Sequence, residues 1–246
     1  MRIFKNTYNI NKILDDRFLA YTHLGLGDHI VCNGLLNHFS ESFNKVYLPV
    51  KSRDMNNVNY LYKDNKKIQI FKIEHETEVE DISNFAKKNS LVILKVGFKK
   101  RKPPFNLSFY EQFDLPYSIS IEKFKVTRDE AKEENLYRHL KGIYNINGPY
   151  QIVHNQSSYG KVNLRSNEKL PTIFIEKETD LYKNIFLYTK IIENAKEIHC
   201  LDSSFLHLVE RVKTDAMLFF HNIKKDGQEG AEVHLVKNWQ IINYIK

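Results

Sequence analysis

Two short polar turns near opposite ends of the chain constrain its fold more than any other feature. The first spans residues 25–29 (Gly-Leu-Gly-Asp-His), and the second spans residues 202–207 (Asp-Ser-Ser-Phe-Leu-His). Each follows an apolar run typical of a strand and opens a segment with apolar residues at helical spacing. Such a turn favours anions, because free backbone N–H groups and the helix dipole both point at it. The pair therefore predicts two facing α/β domains that hold a phosphorylated ligand between them.

Strands and helices alternate in both halves of the sequence. The runs that resemble strands are residues 18–22, 45–50, 68–73 and 91–96 in the first half, and residues 150–154, 172–175, 197–201 and 216–220 in the second. Alternation of this kind favours parallel sheets with right-handed crossovers. The predicted fold class is α/β, with two Rossmann-like domains whose parallel sheets face each other across a cleft.

A loop at residues 145–149 (Asn-Ile-Asn-Gly-Pro) predicts the domain boundary. We expect an N-terminal Rossmann-like domain at 1–148 and a C-terminal one at 149–246. In the connecting region, 103–148, the aromatic stretch 105–115 is predicted to be irregular. Thr127 is predicted to cap a charged helix, with Glu130 in the capping-box position. The tail, 239–245, is predicted to be a final helix or strand.

The formal charge of +7 fits an anionic partner such as nucleotide phosphates, and also nucleic acid or a membrane surface. The densest basic cluster, Lys99-Lys100-Arg101-Lys102, is either a solvated loop or a contact with an anionic ligand or lipid. The two cysteines give no disulfide framework and fit a reducing compartment. No apolar segment approaches the ~18 residues of a membrane span, and the N-terminus does not resemble a secretory signal. We therefore expect a cytoplasmic protein, with peripheral membrane contact through Lys99–Lys102 left open.

In the first turn, Gly25 and Gly27 permit positive φ angles and the close approach of a ligand. Asp28 falls at the start of the helix, where it either caps the helix or acts as a general base on an attacking hydroxyl. His29 and His23 flank the turn and could take that catalytic role instead. The alternative for each histidine is a polar residue with its hydrogen bonds satisfied.

The second turn suits a diphosphate. Ser203 and Ser204 supply hydroxyls and backbone N–H groups at the positive end of a helix. His207 follows one turn later, and Asp202 could orient the loop or meet a ribose hydroxyl. The alternative is a well-capped core helix with an exposed histidine. The residues expected on the polar face of this helix are Ser203, His207, Glu210 and Arg211.

A third cluster follows the strand at residues 150–154. It contains His154, Ser157, Ser158 and Lys161, with Arg165 nearby. Open α/β sheets place their ligands at the carboxyl ends of their strands, so these groups could neutralise a leaving phosphate. A plain polar loop is the alternative.

Several common motifs are absent from the sequence. There is no Asp-x-Asp pair for a divalent metal and a nucleotide sugar, no P-loop, and no HExxH or CxxC zinc pattern. The first turn also lacks the third glycine of a dinucleotide-binding fingerprint. Kinase, zinc-hydrolase and NAD-dependent functions are therefore disfavoured. We expect no metal and no cofactor, with charge neutralised by protein groups.

The two turns resemble motifs of the bacterial ADP-heptose:lipopolysaccharide heptosyltransferases. Residues 24–28 resemble their N-terminal Gly-x-Gly-Asp turn, and residues 202–208 resemble their C-terminal Asp-Thr/Ser-Gly/Ser-x-x-His-Leu motif. The resemblance implies the GT-B fold, inversion at the anomeric carbon and no metal requirement. It also implies that the N-terminal domain holds the acceptor and the C-terminal domain holds the nucleotide sugar.

By this resemblance, Asp28 matches the catalytic base, and Ser203, Ser204 and His207 match the phosphate loop of the donor site. Lys161 matches the family's basic residue more loosely. The chain is shorter than the family's members and has Ser204 where glycine is common, so the resemblance does not specify heptose as the donor sugar.

The resemblance thus predicts a metal-independent, inverting glycosyltransferase. Its partners would be a nucleotide-sugar donor and a glycan, glycolipid or other hydroxyl acceptor. One alternative is a nucleotide-sugar epimerase or hydrolase of the same fold. Another is a non-enzymatic basic module for nucleic acid or anionic surfaces. The aromatic residues are scattered through strands rather than interleaved with basic ones, which argues against nucleic acid as a partner.

Overall fold

The computed structural model describes residues 6–98, 104–157, 160–223 and 233–244. The chain divides into two compact units, Met1–Thr127 and Arg128–Lys246, each built on its own sheet. The charged helix Glu130–Ile143 belongs to the second unit. The expected boundary at residue 148 lies beyond this helix.

The first unit contains a five-stranded parallel sheet with the order β1-β5-β2-β3-β4. Its strands are β1 (Asn6–Thr7), β2 (Arg17–Tyr21), β3 (Lys45–Lys51), β4 (Ile68–Ile73) and β5 (Ile93–Lys95). Its helices are α1 (Leu26–Ser42), α2 (Met55–Tyr62), α3 (Glu78–Asn89), α4 (Phe105–Glu111) and α5 (Ile119–Glu122). The inner strands read as nearly continuous apolar runs because helices and loops cover both faces of a parallel sheet.

Helix α4 corrects the prediction that residues 105–115 are irregular. Phe109 and Tyr110 are fully buried. The Tyr110 hydroxyl donates to the Val31 carbonyl at 2.6 Å and accepts from the Leu35 amide at 3.2 Å. Contacts with α1 that are distant in the sequence therefore stabilise a short helix that local periodicity does not predict.

The second unit contains a parallel sheet with the order β12-β11-β10-β6-β9 and an antiparallel pair, β7 with β8. The strands are β6 (Gln151–His154), β7 (Gln156–Ser157), β8 (Gly160–Lys161), β9 (Thr172–Phe174), β10 (Glu197–Cys200), β11 (Met217–Asn222) and β12 (Trp239–Asn243). The helices are α6 (Glu130–Ile143), α7 (Thr189–Glu193) and α8 (Ser204–Val209). The tail is thus a strand, one of its two predicted forms. Helix α6 is capped by Asp129, which accepts from the Lys132 amide at 3.1 Å, and not by Thr127 as predicted.

Each polar turn follows the central strand of its own sheet. Strand β2 precedes the first turn, and β10 precedes the second. After β2 the chain adds β3 and β4 on one side and then returns to place β5 on the other. After β6 it likewise adds β9 on one side and β10 on the other. The sheets therefore have switch points at β2/β5 and at β6/β10, where open α/β sheets bind ligands.

The predicted α/β fold with two parallel-sheet domains is confirmed. No helix in the described part of the chain is long and apolar enough to cross a membrane.

Candidate functional site

A hydrogen bond joins the two strand ends at the switch point of the second sheet. His154 is the last residue of β6, and Ser203 follows β10. Ser203 Oγ lies 3.1 Å from His154 Nδ1. The ring of His154 also stacks on Phe205, with centroids 5.2 Å apart. The structure therefore brings together two residues from separate predicted clusters.

Ser203 is the N-cap of α8. Its side chain accepts a hydrogen bond from the Leu206 amide at 3.4 Å, and its hydroxyl also contacts the Leu201 carbonyl at 3.2 Å. The amides of Ser204 and Phe205, in the first turn of the helix, have no acceptor within the helix. Ser203 and Ser204 are half-buried, and Asp202 is exposed. This end of the sheet therefore presents hydroxyls and backbone amides, with the exposed Asp202 carboxylate beside them.

Burial lowers the pKa of His154 to about 4. The imidazole is therefore neutral at pH 7, with one nitrogen as donor and the other as acceptor. A neutral ring can exchange hydrogen bonds with Ser203 and with a ligand, but it adds no positive charge to the site.

The predicted polar face of α8 is wrong for two of its four residues. His207 and Glu210 are buried, at 9% and 4% exposure. Burial, together with nearby Arg211, lowers the pKa of His207 to about 3. The carboxylate of Glu210 accepts hydrogen bonds from the segment that leads into β12, namely from the amides of Val236 at 2.7 Å and Lys237 at 3.2 Å and from Trp239 Nε1 at 2.5 Å. That segment packs on this side of α8, so the structure does not support direct phosphate contact by His207.

The two predicted cations of the third cluster differ in their surroundings. Lys161, on β8, forms an ion pair with Glu176 at 2.6 Å. Arg165 is exposed and has no ion pair with an acidic side chain in the part of the chain that the structure describes. Its guanidinium lies 4.8 Å from the centroid of the Tyr244 ring. Arg165 is therefore better placed than Lys161 to receive an anion.

Other predicted residues of this region carry less information. Ser157 lies on β7, and Gly160, the first residue of β8, has a φ angle of 113°. Ser158 lies outside the described residues, as does the basic cluster Lys99–Lys102.

In the first unit, Asp28 is the third residue of α1. Its Oδ2 accepts a hydrogen bond from the Gly25 amide at 3.0 Å. A Cβ atom at Gly25 would lie 2.8 Å from the same oxygen, so a side chain at position 25 would displace the carboxylate. Asp28 remains half-buried. It therefore closes the first turn of the helix and still reaches the surface beside the switch point.

The positive φ angle of this turn lies at Leu24, with φ 63°, and not at the predicted glycines. Gly25 has φ −80°, and Gly27 lies within α1. Leu24 is fully buried, and its packing holds the left-handed conformation that glycine would otherwise supply.

The structure does not support His29 as a catalytic residue. Its side chain is fully buried, and neither ring nitrogen has a hydrogen-bond partner among the residues that the structure describes. Burial, together with the charge of Lys51, lowers its pKa to about 3. His23, by contrast, is half-buried at the β2/β5 switch point. Its Nε2 lies 3.2 Å from the Gly97 carbonyl, and its ring stacks on Phe98 at 4.3 Å.

A charged network at the same edge of the first sheet was missed from the sequence. Tyr21 ends β2, Lys51 ends β3, and Glu78 begins α3. The Tyr21 hydroxyl donates to Glu78 Oε1 at 2.6 Å, and Lys51 Nζ lies 3.0 Å from Glu78 Oε2. Burial and the adjacent carboxylate raise the pKa of Tyr21. The available signal was a polar residue at the end of each of two apolar strands.

No three His, Cys, Asp or Glu side chains come together as a metal-ligand group within residues 6–98, 104–157, 160–223 and 233–244. The expectation that the two polar turns face one another stays a prediction.

Comparisons with known proteins bear on the fold. No protein-family model matches the sequence, and no curated protein sequence matches it. The fold is similar to the crystal structure of the glycosyl transferase family 9 protein from Veillonella parvula, with a TM-score of 0.55 and 8% sequence identity. The similarity covers 95% of this chain and 88% of that one. Over nearly its whole length, the chain therefore shares the fold of a glycosyl transferase family 9 protein.

Proposed function

We propose that the protein is a glycosyltransferase that moves a sugar from a nucleotide-sugar donor to a hydroxyl group of a glycan or glycolipid acceptor. The observation that carries this proposal is the similarity of fold to a glycosyl transferase family 9 protein across 95% of the chain. The position of each polar turn, directly after the central strand of its sheet, supports it further.

The donor diphosphate is proposed to bind at the β6/β10 edge of the second sheet. The Ser203 turn offers helix N-terminal amides and hydroxyls, and His154 is hydrogen-bonded to Ser203. Arg165 adds a guanidinium that can bind two phosphate oxygens at once. Such groups stabilise the negative charge that develops on a departing diphosphate.

Asp28 is proposed as the general base. In a single in-line displacement, the acceptor oxygen attacks the anomeric carbon while the bond from that carbon to the diphosphate oxygen breaks. Asp28 takes the hydroxyl proton, and the nucleoside diphosphate leaves with the electron pair. One displacement inverts the anomeric centre. The hydrogen bond from the Gly25 amide fixes the orientation of the carboxylate.

Metal independence is part of this proposal. It rests on the absence of an Asp-x-Asp pair from the sequence and on protein groups that can replace a cation at the diphosphate. A cytoplasmic location and the absence of a nucleic-acid partner remain predictions.

Thermal-shift screening against UDP-, GDP-, ADP-, CMP- and dTDP-sugars tests the proposal, followed by assay of nucleotide release with and without glycan acceptors. We expect one donor class to stabilise the protein and its nucleotide to be released when an acceptor is added. Equal release without any acceptor would favour a hydrolase or an epimerase instead. Failure of every nucleotide sugar to bind would refute the transferase proposal.

A further inference from the structure

A chain of hydrogen bonds crosses one face of the second sheet. His199, on β10, places Nδ1 3.0 Å from Nε2 of His221, on β11. His221 Nδ1 lies 2.7 Å from the hydroxyl of Tyr244, just after β12. Beside this chain, His199 Nε2 lies 3.5 Å from Glu197 Oε2, an electrostatic contact without hydrogen-bond geometry. Glu197, His199 and His221 are buried, at 5%, 3% and 0% exposure.

The direction of this chain follows from the chemistry of its ends. The carboxylate of Glu197 favours a proton over a lone pair on the nitrogen that faces it, so His199 is the Nε2–H tautomer. The pKa of each histidine is lowered, chiefly by burial, so both rings are neutral at pH 7. His199 Nδ1 is then an acceptor, and His221 Nε2 is the donor to it. His221 Nδ1 accepts in turn, so the Tyr244 hydroxyl donates.

The Tyr244 oxygen keeps a lone pair for one further partner. The Arg165 amide donates to this oxygen at 2.9 Å. Because an amide N–H only donates, this bond agrees with the direction set from Glu197. The same tyrosine therefore contacts Arg165 twice, through its oxygen and through the ring face that the guanidinium covers.

These two contacts fix the position of Arg165, whose own backbone is not held in a helix or strand. Arg165 lies in a segment without regular secondary structure, between β8 and β9. A guanidinium stacked on a ring keeps its in-plane N–H donors available to an anion. Strand β12 lies two strands from β10, so on the order of 10 Å separates their carboxyl ends. A nucleoside diphosphate spans a comparable distance.

We infer that Tyr244 is a positioning residue that holds Arg165 for the phosphate groups of a nucleotide, and that the His199–His221 chain, with Glu197 beside it, keeps Tyr244 in a single orientation. The inference rests on the proposed function, since it assigns Arg165 to the donor of that reaction.

Calorimetric titration with UDP, GDP, ADP, CDP, dTDP and inorganic pyrophosphate tests this inference. We expect Arg165→Ala to weaken the tightest of these ligands about tenfold, since a charge-assisted pair is lost. Tyr244→Phe, which keeps the ring and removes the oxygen, should weaken it about fivefold in the wild-type background and hardly at all in the Arg165→Ala background, because its effect passes through Arg165. Tyr150→Phe is the matched control. It removes a buried tyrosine hydroxyl that donates to the Ile191 carbonyl in the same unit at 2.7 Å, and it should leave affinity unchanged.

A second measurement determines the tautomers of the histidines in this chain and needs no ligand. Long-range ¹H–¹⁵N spectra of histidine-labelled protein at pH 7 should show His199 and His221 as neutral Nε2–H tautomers. An Nδ1–H form of either ring would overturn the inference.

The titration distinguishes failure of this inference from failure of the proposed function. If a probe binds but Arg165→Ala binds it as tightly, or if Tyr244→Phe weakens binding equally in both backgrounds, the inference is wrong and the donor site stands. If the wild-type protein binds none of the probes, the proposed function itself is wrong.

Discussion

Ser203 and His154 are hydrogen-bonded at 3.1 Å, although they are 49 positions apart in the sequence. They meet because β6 and β10 are neighbours in the sheet while β9 pairs on the other side of β6. The bond therefore marks the topological switch point of the second sheet, where ligands of open α/β sheets bind. In our account this corner receives the diphosphate of the donor.

The two roles of Asp28 can be separated by substitution. Asp28→Asn keeps an oxygen that accepts from the Gly25 amide but cannot take up a proton. We expect nearly unchanged stability and turnover lower by a factor on the order of 100 or more. Asp28→Ala should also cost about 1 kcal/mol of stability through the lost capping bond. Denaturant unfolding and nucleotide-release rates provide the two readouts. Near-normal turnover in a folded Asp28→Asn protein would rule out the base assignment.

Two helical glycines should respond to alanine in opposite directions. A Cβ at Gly34, in α1, would lie 2.3 Å from the Ile119 carbonyl oxygen of α5, whereas a Cβ at Gly142, in α6, meets nothing within 4 Å. We expect Gly34→Ala to destabilise the protein by about 1–3 kcal/mol, because backbone cannot yield as a flexible side chain does. Gly142→Ala should stabilise it by about 0.5 kcal/mol through helix propensity. Changes in unfolding free energy of the same sign for both variants, relative to wild type, would contradict the packing described for α1 and α5.

Stability should fall as the pH drops from about 6.5 towards 4. Burial lowers the pKa of His154 and His221 to about 4 and that of His29 and His207 to about 3. In the unfolded chain each histidine titrates near pH 6.5. Between the folded and unfolded pKa values, the unfolded state binds more protons than the folded state. The contribution of these neutral histidines to stability is therefore complete above pH 6.5 and is lost on acidification. His207→Gln should reduce the slope of unfolding free energy against pH by up to about 1.4 kcal/mol per pH unit. Identical slopes for variant and wild type would show that His207 is not held neutral.

Lys161 and Arg165 should differ in their effect on donor binding. The Lys161 ammonium is paired with Glu176, so Lys161→Ala removes a cation that is already neutralised. We expect it to change nucleoside diphosphate affinity less than about twofold, since exposed charges contribute little. A loss of affinity as large as that of Arg165→Ala, measured by calorimetry under the same conditions, would show that Lys161 contributes to donor binding.

The sequence predicted those features that depend on local patterns. Apolar runs placed β2 and β10 correctly, and polar residues after them placed both turns. The prediction of a buried stripe on α8 and the segment after it was also correct, since Phe205, Leu208, Val209 and Val212 are all buried. In each case a few consecutive residues contain the whole signal.

Features that depend on distant partners could not be predicted in this way. Glu210 looked like a surface residue because the amides of Val236 and Lys237, which its carboxylate accepts from, lie more than twenty residues further along the chain. The burial of His29 likewise follows from packing that no local periodicity encodes. The chain from His199 to Tyr244 requires the strand order itself, which places β10, β11 and β12 side by side.

Amide chemical-shift mapping during titration with nucleoside diphosphates would locate the donor site directly. We predict that at least one of UDP, GDP, ADP, CDP and dTDP binds, and that the largest shifts fall on Ser203, Ser204, Phe205 and Arg165. Largest shifts in the first unit, or no shifts with any of these nucleotides, would contradict a donor site at the carboxyl edge of the second sheet.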